Sequence, residues 1–541
     1  MATSAYLRAA NQPPPLDNYD LFSENRPLLE TFRREGTAAR ETECATFGLL
    51  CGGRPLELGR VANENPPSLR AFDRYGERID EVEFHPAWHE LLRLGVENGL
   101  HAFAWADFAQ AAHVTRATKF MTLAYAEAGV GCPLSMTYSV VPALRTDPSL
   151  AGEWEPALAE CRYEPGLRPP AAKAGLLAGM ALTERQGGSD VRANETRAEP
   201  LADGGYALTG EKWFCSAPMC DVFLVLAYAP GGLTCFLLPR VLAGGERNGF
   251  NLRRLKDKLG NRSNASAEIE LREAWAERLG EEGRGIATVI EMVVHTRLDC
   301  VLGSTALMRR AVAEATHHAA YRSAFGRLLS EQPLHLNVLA DLCLDSEAAT
   351  ATALRLARSV DDDDRPFRRL AATVGKYWIC KATPALVAEA LECIGGNGYV
   401  EESALPRIYR ESPLNSLWEG AGNVNALDLL RAASREPESV DALLAEIGVA
   451  RGADARLDTA VARLRTGLGD TEELDFRARG IVELAALCLQ GSLLVRHAPH
   501  EVSDAFCATR LGDEGGRAYG TLPRGVDCAA IVERHRPRLD L

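Results

Sequence analysis

The period of apolar residues changes along this chain, and each change marks a boundary. Up to about residue 178, stretches such as Trp105 to Ala128 repeat apolar positions at helical spacing, between loop signals at Pro13-Pro14-Pro15 and Pro66-Pro67. From 179 to 283 the period shortens. Val222-Phe223-Leu224-Val225-Leu226 and Leu233-Thr234-Cys235-Phe236-Leu237-Leu238 are strand-like runs joined through Pro230-Gly231-Gly232, which suits a hairpin, and Ala267-Glu268-Ile269-Glu270-Leu271 is a further strand. After Gly283 helical spacing returns. Ile286, Val289, Ile290, Val293, Val294, Leu298, Val301 and Leu302 share one broad face of a long helix, and further helices are predicted over about 332–360 and 367–394. The acidic run Asp361 to Asp364 between them is a solvated loop. Beyond Arg431 the pattern stays helical. The predicted class is α+β and mainly α: a helical domain over 1–178, a β domain over 179–283, a helical bundle over 284–433 and an added helical domain over 434–541.

The composition, 541 residues with 46% hydrophobic and 25% charged, excludes disorder as the main state. A net charge of −14 argues against a surface that binds polyanions as a whole. The fourteen cysteines form no CxxC pair, so no zinc knuckle or thioredoxin-type motif is present, and they read as reduced, buried small hydrophobes. Met1 to Pro15 holds no apolar run of leader length and no membrane-length apolar stretch is evident elsewhere, so a cytoplasmic location is expected. Helical, β and helical blocks in this order, with no GxGxxG after a strand, exclude a doubly wound nucleotide fold.

Three segments carry candidate chemistry. Leu182-Thr183-Glu184-Arg185-Gln186-Gly187-Gly188-Ser189-Asp190 offers hydroxyls and exposed N–H groups to a heterocycle or phosphate, or is a turn with an Asx cap. Gly395-Gly396-Asn397-Gly398-Tyr399 is a helix C-cap or a place where a diphosphate approaches the backbone. Leu417-Trp418-Glu419-Gly420-Ala421-Gly422-Asn423 sets a carboxylate between an aromatic and a glycine, which is either a desolvated general base or a surface glutamate before a helix. His85 and His89, four apart around Pro86 and without a third ligand nearby, point to packing or capping, and no metal site is expected. Adjacent His317 and His318 point apart on a helix and are given no role.

In order and spacing, together with Tyr321-Arg322-Ser323-Ala324-Phe325-Gly326 and Gln332, these segments resemble the acyl-CoA dehydrogenase family. The strings at 56–60, 84–89, 210–214, 255–266 and 418–420, and the position and length of the last block, resemble in particular a bacterial branch associated with the response to DNA alkylation. The likeness then covers essentially the whole chain. It implies that fold with a barrel-like middle domain, FAD as cofactor, acyl-CoA or a similar small molecule as substrate, and a homotetramer. By the same resemblance Met180, Leu182, Thr183, Gly188, Ser189, Phe214, Cys215 and Ser216 are cofactor-binding. Phe214 stands where the family usually has tryptophan, which keeps an apolar wall and loses an indole donor, and Ser216 where it usually has a threonine near flavin N5. Arg322, Phe325, Gln332, Gly395 and Gly396 fall on its inter-subunit FAD site, with Glu392 where many relatives have glutamine, and Leu417, Trp418, Gly420 and Asn423 complete the cofactor set. Glu419 aligns with the catalytic base. Some relatives carry the base on an earlier helix, before an arginine. Here that slot, before the substrate-pocket residue Arg297, is Thr296.

The branch is also associated with duplex DNA through its C-terminal domain. From Arg431 onward there are fifteen arginines, no lysine and eighteen acidic residues, so charge alone does not predict DNA binding. Arg463 with Arg465, Arg477 with Arg479, and Arg534 with Arg536 and Arg538 form a phosphate-binding face only if the acids segregate elsewhere. Three readings follow from the resemblance: a catabolic acyl-CoA dehydrogenase, a DNA-associated protective flavoprotein, and an acyl-CoA-binding sensor with little turnover.

Overall fold

The computed structural model describes residues 11–539; Met1–Ala10, which hold most of the segment read above as lacking a leader, and the last two residues lie outside it. The described residues form two compact units, one of residues 55–299 with 419–421 and one of residues 11–54, 300–418 and 422–539.

The first unit opens with helices and a hairpin, β1 (Ser68–Phe72) and β2 (Arg78–Glu83). His85 caps the helix Pro86–Glu97 by accepting from the Ala87 N–H, and His89 bonds Tyr163, which are the capping and packing roles its spacing indicated. The β block contains β3 (Ala178–Ala181), β4 (Arg197–Pro200), β5 (Tyr206–Ser216), β6 (Val222–Ala229), β7 (Gly232–Pro239), β8 (Phe250–Leu255) and β9 (Ser266–Leu279). Pairings β6–β4, β4–β5, β5–β9, β9–β7 and β7–β6 close a ring, with β3 added on β6 and β8 on β9. A closed ring leaves few unpaired edges, and its interior is filled by fully buried Phe223, Phe236, Leu238 and Ile269. The expected hairpin is present: Ala229 pairs with Gly232 across a Pro230-Gly231 turn, with Gly232 at φ +120°.

The second unit is helical. Its long elements are the remainder of Gly285–Tyr321, then Pro333–Asp361 and Arg365–Ile394, all at the expected positions. The acidic run between the last two ends one helix and starts the next, because Asp364 accepts from the Phe367 N–H. Helices Pro437–Gly448, Ala455–Gly469, Leu474–His497 and Cys528–His535 follow, joined to the bundle by ion pairs such as Arg510 with Asp341 and Asp345. Leu474–His497 is long and apolar enough to cross a membrane by length and composition, which corrects the expectation that no such stretch exists. Its Ile481, Val482, Leu489, Leu493 and Leu494 are instead buried in this unit's core.

Candidate functional site

In the first unit the chain after β3 turns sharply, with Glu184 and Gly187 bridged. The turn is pinned to the barrel: the Trp213 N–H donates to the Thr183 carbonyl at 2.8 Å and Asn194 Nδ2 to the Leu182 carbonyl at 3.0 Å. At Gly188 the main chain packs closely on the turn, since a Cβ there would stand 3.0 Å from Thr183 Cγ2. Below the turn lies Glu184, whose Oε1 accepts from Lys212 Nζ at 2.6 Å and Thr196 Oγ1 at 2.5 Å, while Oε2 accepts from the Glu195 N–H at 2.6 Å and Gln186 Nε2 at 2.8 Å. Burial works to raise the Glu184 carboxyl, and Lys212 with the surrounding donors overcomes it, leaving it below the ordinary carboxylate range. Burial lowers Lys212 to about 8 against the pull of Glu184. Met180, Leu182 and Thr183 are partly exposed and Gly188 and Ser189 exposed, so this rim is open to a ligand.

On β5, Phe214 is 53% exposed, with Lys256 Nζ 4.5 Å from its ring centroid, and Ser216 ends the strand. Cys215 points the other way. It is fully buried, with burial pushing its thiol up to about 12, so its side chain is not offered to a cofactor.

A polar cluster adjoins Ser216. Its Oγ lies 3.3 Å from Ser266 Oγ, and Lys258 Nζ donates to that hydroxyl at 3.1 Å and to the Asn264 carbonyl at 2.7 Å. Glu127 fixes the loop carrying Asn264, accepting on one oxygen from Ser263 Oγ at 2.7 Å and the Gly129 N–H at 2.8 Å. This brings the loop against the first turn of the helix Gly131–Leu144, where Cys132 is buried. Burial pushes the Cys132 thiol up to about 12, opposed by Lys258, Asn264 and Ser216 and reinforced by the Glu419 carboxylate. The Asn264 amide is buried and its oxygen has no hydrogen-bond partner.

Glu419 is partly exposed at φ +57°, followed by Gly420 at φ +93°. A left-handed non-glycine residue costs of order 1–3 kcal/mol and persists only where neighbours hold it. Two do. Thr296 Oγ1 lies 2.5 Å from Glu419 Oε2, and Arg297 Nε donates to the Glu419 carbonyl at 3.1 Å. Arg297 thus touches the main chain of the candidate base. Two residues further along this helix, buried Asp299 pairs with Arg116, whose Nη2 donates at 2.9 Å and whose guanidinium lies over the Tyr138 and Phe120 rings.

The remaining predicted residues lie in the helical unit. Arg322 donates to the Asn11 carbonyl at 2.8 Å, and Gln332 Nε2 to the Ala324 carbonyl at 2.8 Å across a two-strand turn. Phe325, at φ +52° on that turn, is 100% exposed. Gly395 is at φ +72°, and a Cβ on Gly395 or Gly396 would meet nothing within 4 Å. Trp418 donates to Asn415 Oδ1 at 2.9 Å, while Leu417 and Asn423 are exposed. Of the arginines assigned to DNA, Arg534 is buried between Glu30 and Glu347, Arg477 donates to the carbonyls of Glu472 and Asp470, and Arg536 pairs with Glu533. These three are occupied by the protein itself, which corrects their place in a phosphate-binding face. Arg463, Arg465 and Arg479 are exposed. Sequence reading passed over Lys212, Lys258, Asn264 and the role of Thr296; the first three lie in strings quoted for the resemblance.

Comparison with known proteins bears on the family. The model of the adaptive response protein AidB N-terminal domain matches residues 11–165, that of the acyl-CoA dehydrogenase middle domain residues 179–274, and that of the acyl-CoA dehydrogenase C-terminal domain residues 283–434. The chain is 44% identical over 514 residues to the putative acyl-CoA dehydrogenase AidB of Escherichia coli, covering 94% of each. It is 31% identical over 522 residues to acyl-CoA dehydrogenase family member 11 of Caenorhabditis elegans, covering 88% of this chain and 82% of that one. The crystal structure of a C. elegans relative in complex with C11-CoA superposes with a TM-score of 0.82 at 27% identity, covering 100% of this chain and 95% of that one. A barrel flanked by helices, a carboxylate clamped in a left-handed turn and matches spanning nearly the whole chain lead to one assignment: this protein belongs to the acyl-CoA dehydrogenase family of oxidoreductases and resembles its AidB branch.

Proposed function

We propose that the chain binds FAD and dehydrogenates acyl-CoA thioesters between the α and β carbons, with Glu419 as general base. The observation that carries this reading is the partly buried Glu419 in its left-handed turn, with its carboxylate bonded to Thr296 and its carbonyl to Arg297.

The residues fit a flavin, which presents apolar faces and an edge of carbonyl and ring nitrogen groups. Phe214, Met180 and Leu182 offer apolar surface, Thr183, Ser189 and Ser216 offer hydroxyls, and the Asn264 oxygen lacks a partner. In a homotetramer, Arg322, exposed Phe325, Gln332, Gly395 and Gly396 would meet the FAD diphosphate side of a neighbouring copy. When bound, FAD supplies the acceptor for the hydride that leaves the β carbon as the α-proton is removed and the double bond forms. Glu419 accepts that proton. Its reach is set by the left-handed turn and by Thr296 and Arg297, so the carboxylate is placed before substrate arrives. Anaerobic titration with acyl-CoAs of graded chain length tests the reading: stoichiometric bleaching of the flavin band is expected, and no bleaching by any of them leaves a sensor without turnover.

A second reading, duplex DNA binding with protection against alkylation, rests on exposed Arg463, Arg465 and Arg479, which form no ion pair among the described residues. Three phosphate contacts give a slope of log affinity against log salt near −0.9 per contact, about −3 in all. Replacing all three by serine is then expected to flatten that slope to near zero, and full-length protein that ignores duplex at low salt removes the reading.

A further inference from the structure

Thr296 and Arg297 are consecutive on the helix Gly285–Tyr321 and grip Glu419 at opposite ends, one at the carboxylate and the other at the main-chain carbonyl. Both are buried, at 3% and 8% exposure. A glutamate side chain is otherwise free to sample many rotamers, so holding both ends removes most of that freedom before substrate binds.

The threonine contact has a further property, visible from counting protons. The Thr296 hydroxyl carries one hydrogen but has two acceptors in reach, Glu419 Oε2 at 2.5 Å and the Val293 carbonyl at 3.1 Å. It serves one at a time. While Glu419 is ionised, the hydrogen goes to the carboxylate, the stronger, charge-assisted acceptor. Once Oε2 carries a proton, that proton is donated to Oγ1, and the threonine hydrogen turns to the Val293 carbonyl, the back-bonding position open to any helical threonine. The contact between Thr296 Oγ1 and Glu419 Oε2 is thereby kept in both protonation states without movement of a heavy atom.

We propose that Thr296 is the positioning residue of the base, holding the Glu419 carboxylate as a donor before the α-proton is taken and as an acceptor afterwards. The proposal rests on the assignment of Glu419 as base. Serine preserves the device; valine, of the same shape, does not.

The test uses full-length, FAD-loaded protein and the acyl-CoA that bleaches the wild type best, with anaerobic flavin reduction followed across pH for Thr296→Val, Thr296→Ser and Glu419→Gln. The base acts only when ionised, so losing a donor to the ionised form moves the acid limb to higher pH. For Thr296→Val the limb is expected to rise by about one pH unit, with the rate below it falling about tenfold, at unchanged FAD content. Thr296→Ser restores both. The same limb is read without turnover from the absorbance change on binding a 3-thia-acyl-CoA, whose sulfur in place of the β carbon blocks hydride loss. A Thr296→Val limb superimposed on the wild type, a rate loss without a shift, or failure of serine to rescue overturns the proposal while leaving the base assignment standing. Wild-type reduction by Glu419→Gln overturns both.

Discussion

Glu419→Gln is expected to retain FAD and to bind acyl-CoA near wild-type affinity, yet to lose anaerobic flavin reduction by roughly 10²–10⁴-fold, the range that general base catalysis supplies. The amide is nearly the shape of the carboxylate and still meets Thr296, so the left-handed turn and the Arg297 contact at the carbonyl survive. What it cannot do is accept the α-proton. The slot from which some relatives supply the base holds Thr296 here, and a threonine hydroxyl is far too weakly basic to stand in. Rapid mixing separates the outcomes: binding without bleaching supports Glu419 as base, while bleaching at the wild-type rate requires another proton acceptor.

Much of the fold was legible because period alone distinguishes strand from helix. The Pro230-Gly231 hairpin and the helices begun at Gly285, Pro333 and Arg365 lie where the apolar spacing put them. Glu419 stood out through its local surroundings, an aromatic before it and a glycine after it. What holds Glu419 was not legible, because Thr296 lies 123 positions away and nothing in local spacing links the two. The same limit explains the arginines of the last block. Arg534 reads as one of a surface trio, but its guanidinium bonds Glu30, 504 positions earlier, and Glu347. Composition counts charges and is blind to which acid each cation meets. Adjacent Phe214 and Cys215 show a related limit: side chains alternate along a strand, so one faces outward and the other fills the core, which leaves Cys215 only its main chain to offer a cofactor.

The buried pair beneath the rim yields the largest effect expected on stability. Lys212 and Glu184 have side chains 0% and 2% exposed, and Lys212 also donates to the Leu226 carbonyl at 2.7 Å, tying the turn after β3 to β5 and β6. Lys212→Met keeps the aliphatic volume but leaves Glu184 ionised, buried and without its cation, a defect that costs about 3–5 kcal/mol. The melting temperature should fall by several degrees and FAD content with it, because Leu182, Thr183, Gly188 and Ser189 hang on the same turn. The pH dependence distinguishes this cause from a simple packing defect. In the wild type Glu184 sits below its ordinary value, so its contribution is present above the unfolded carboxylate pKa and lost as pH falls through the folded one. In Lys212→Met the protonated acid no longer needs a cation, so the gap between mutant and wild type should narrow as pH drops through the carboxylate range. A gap that stays constant with pH assigns the loss to packing, and equal melting temperatures at neutral pH would mean that the pair does not brace the turn.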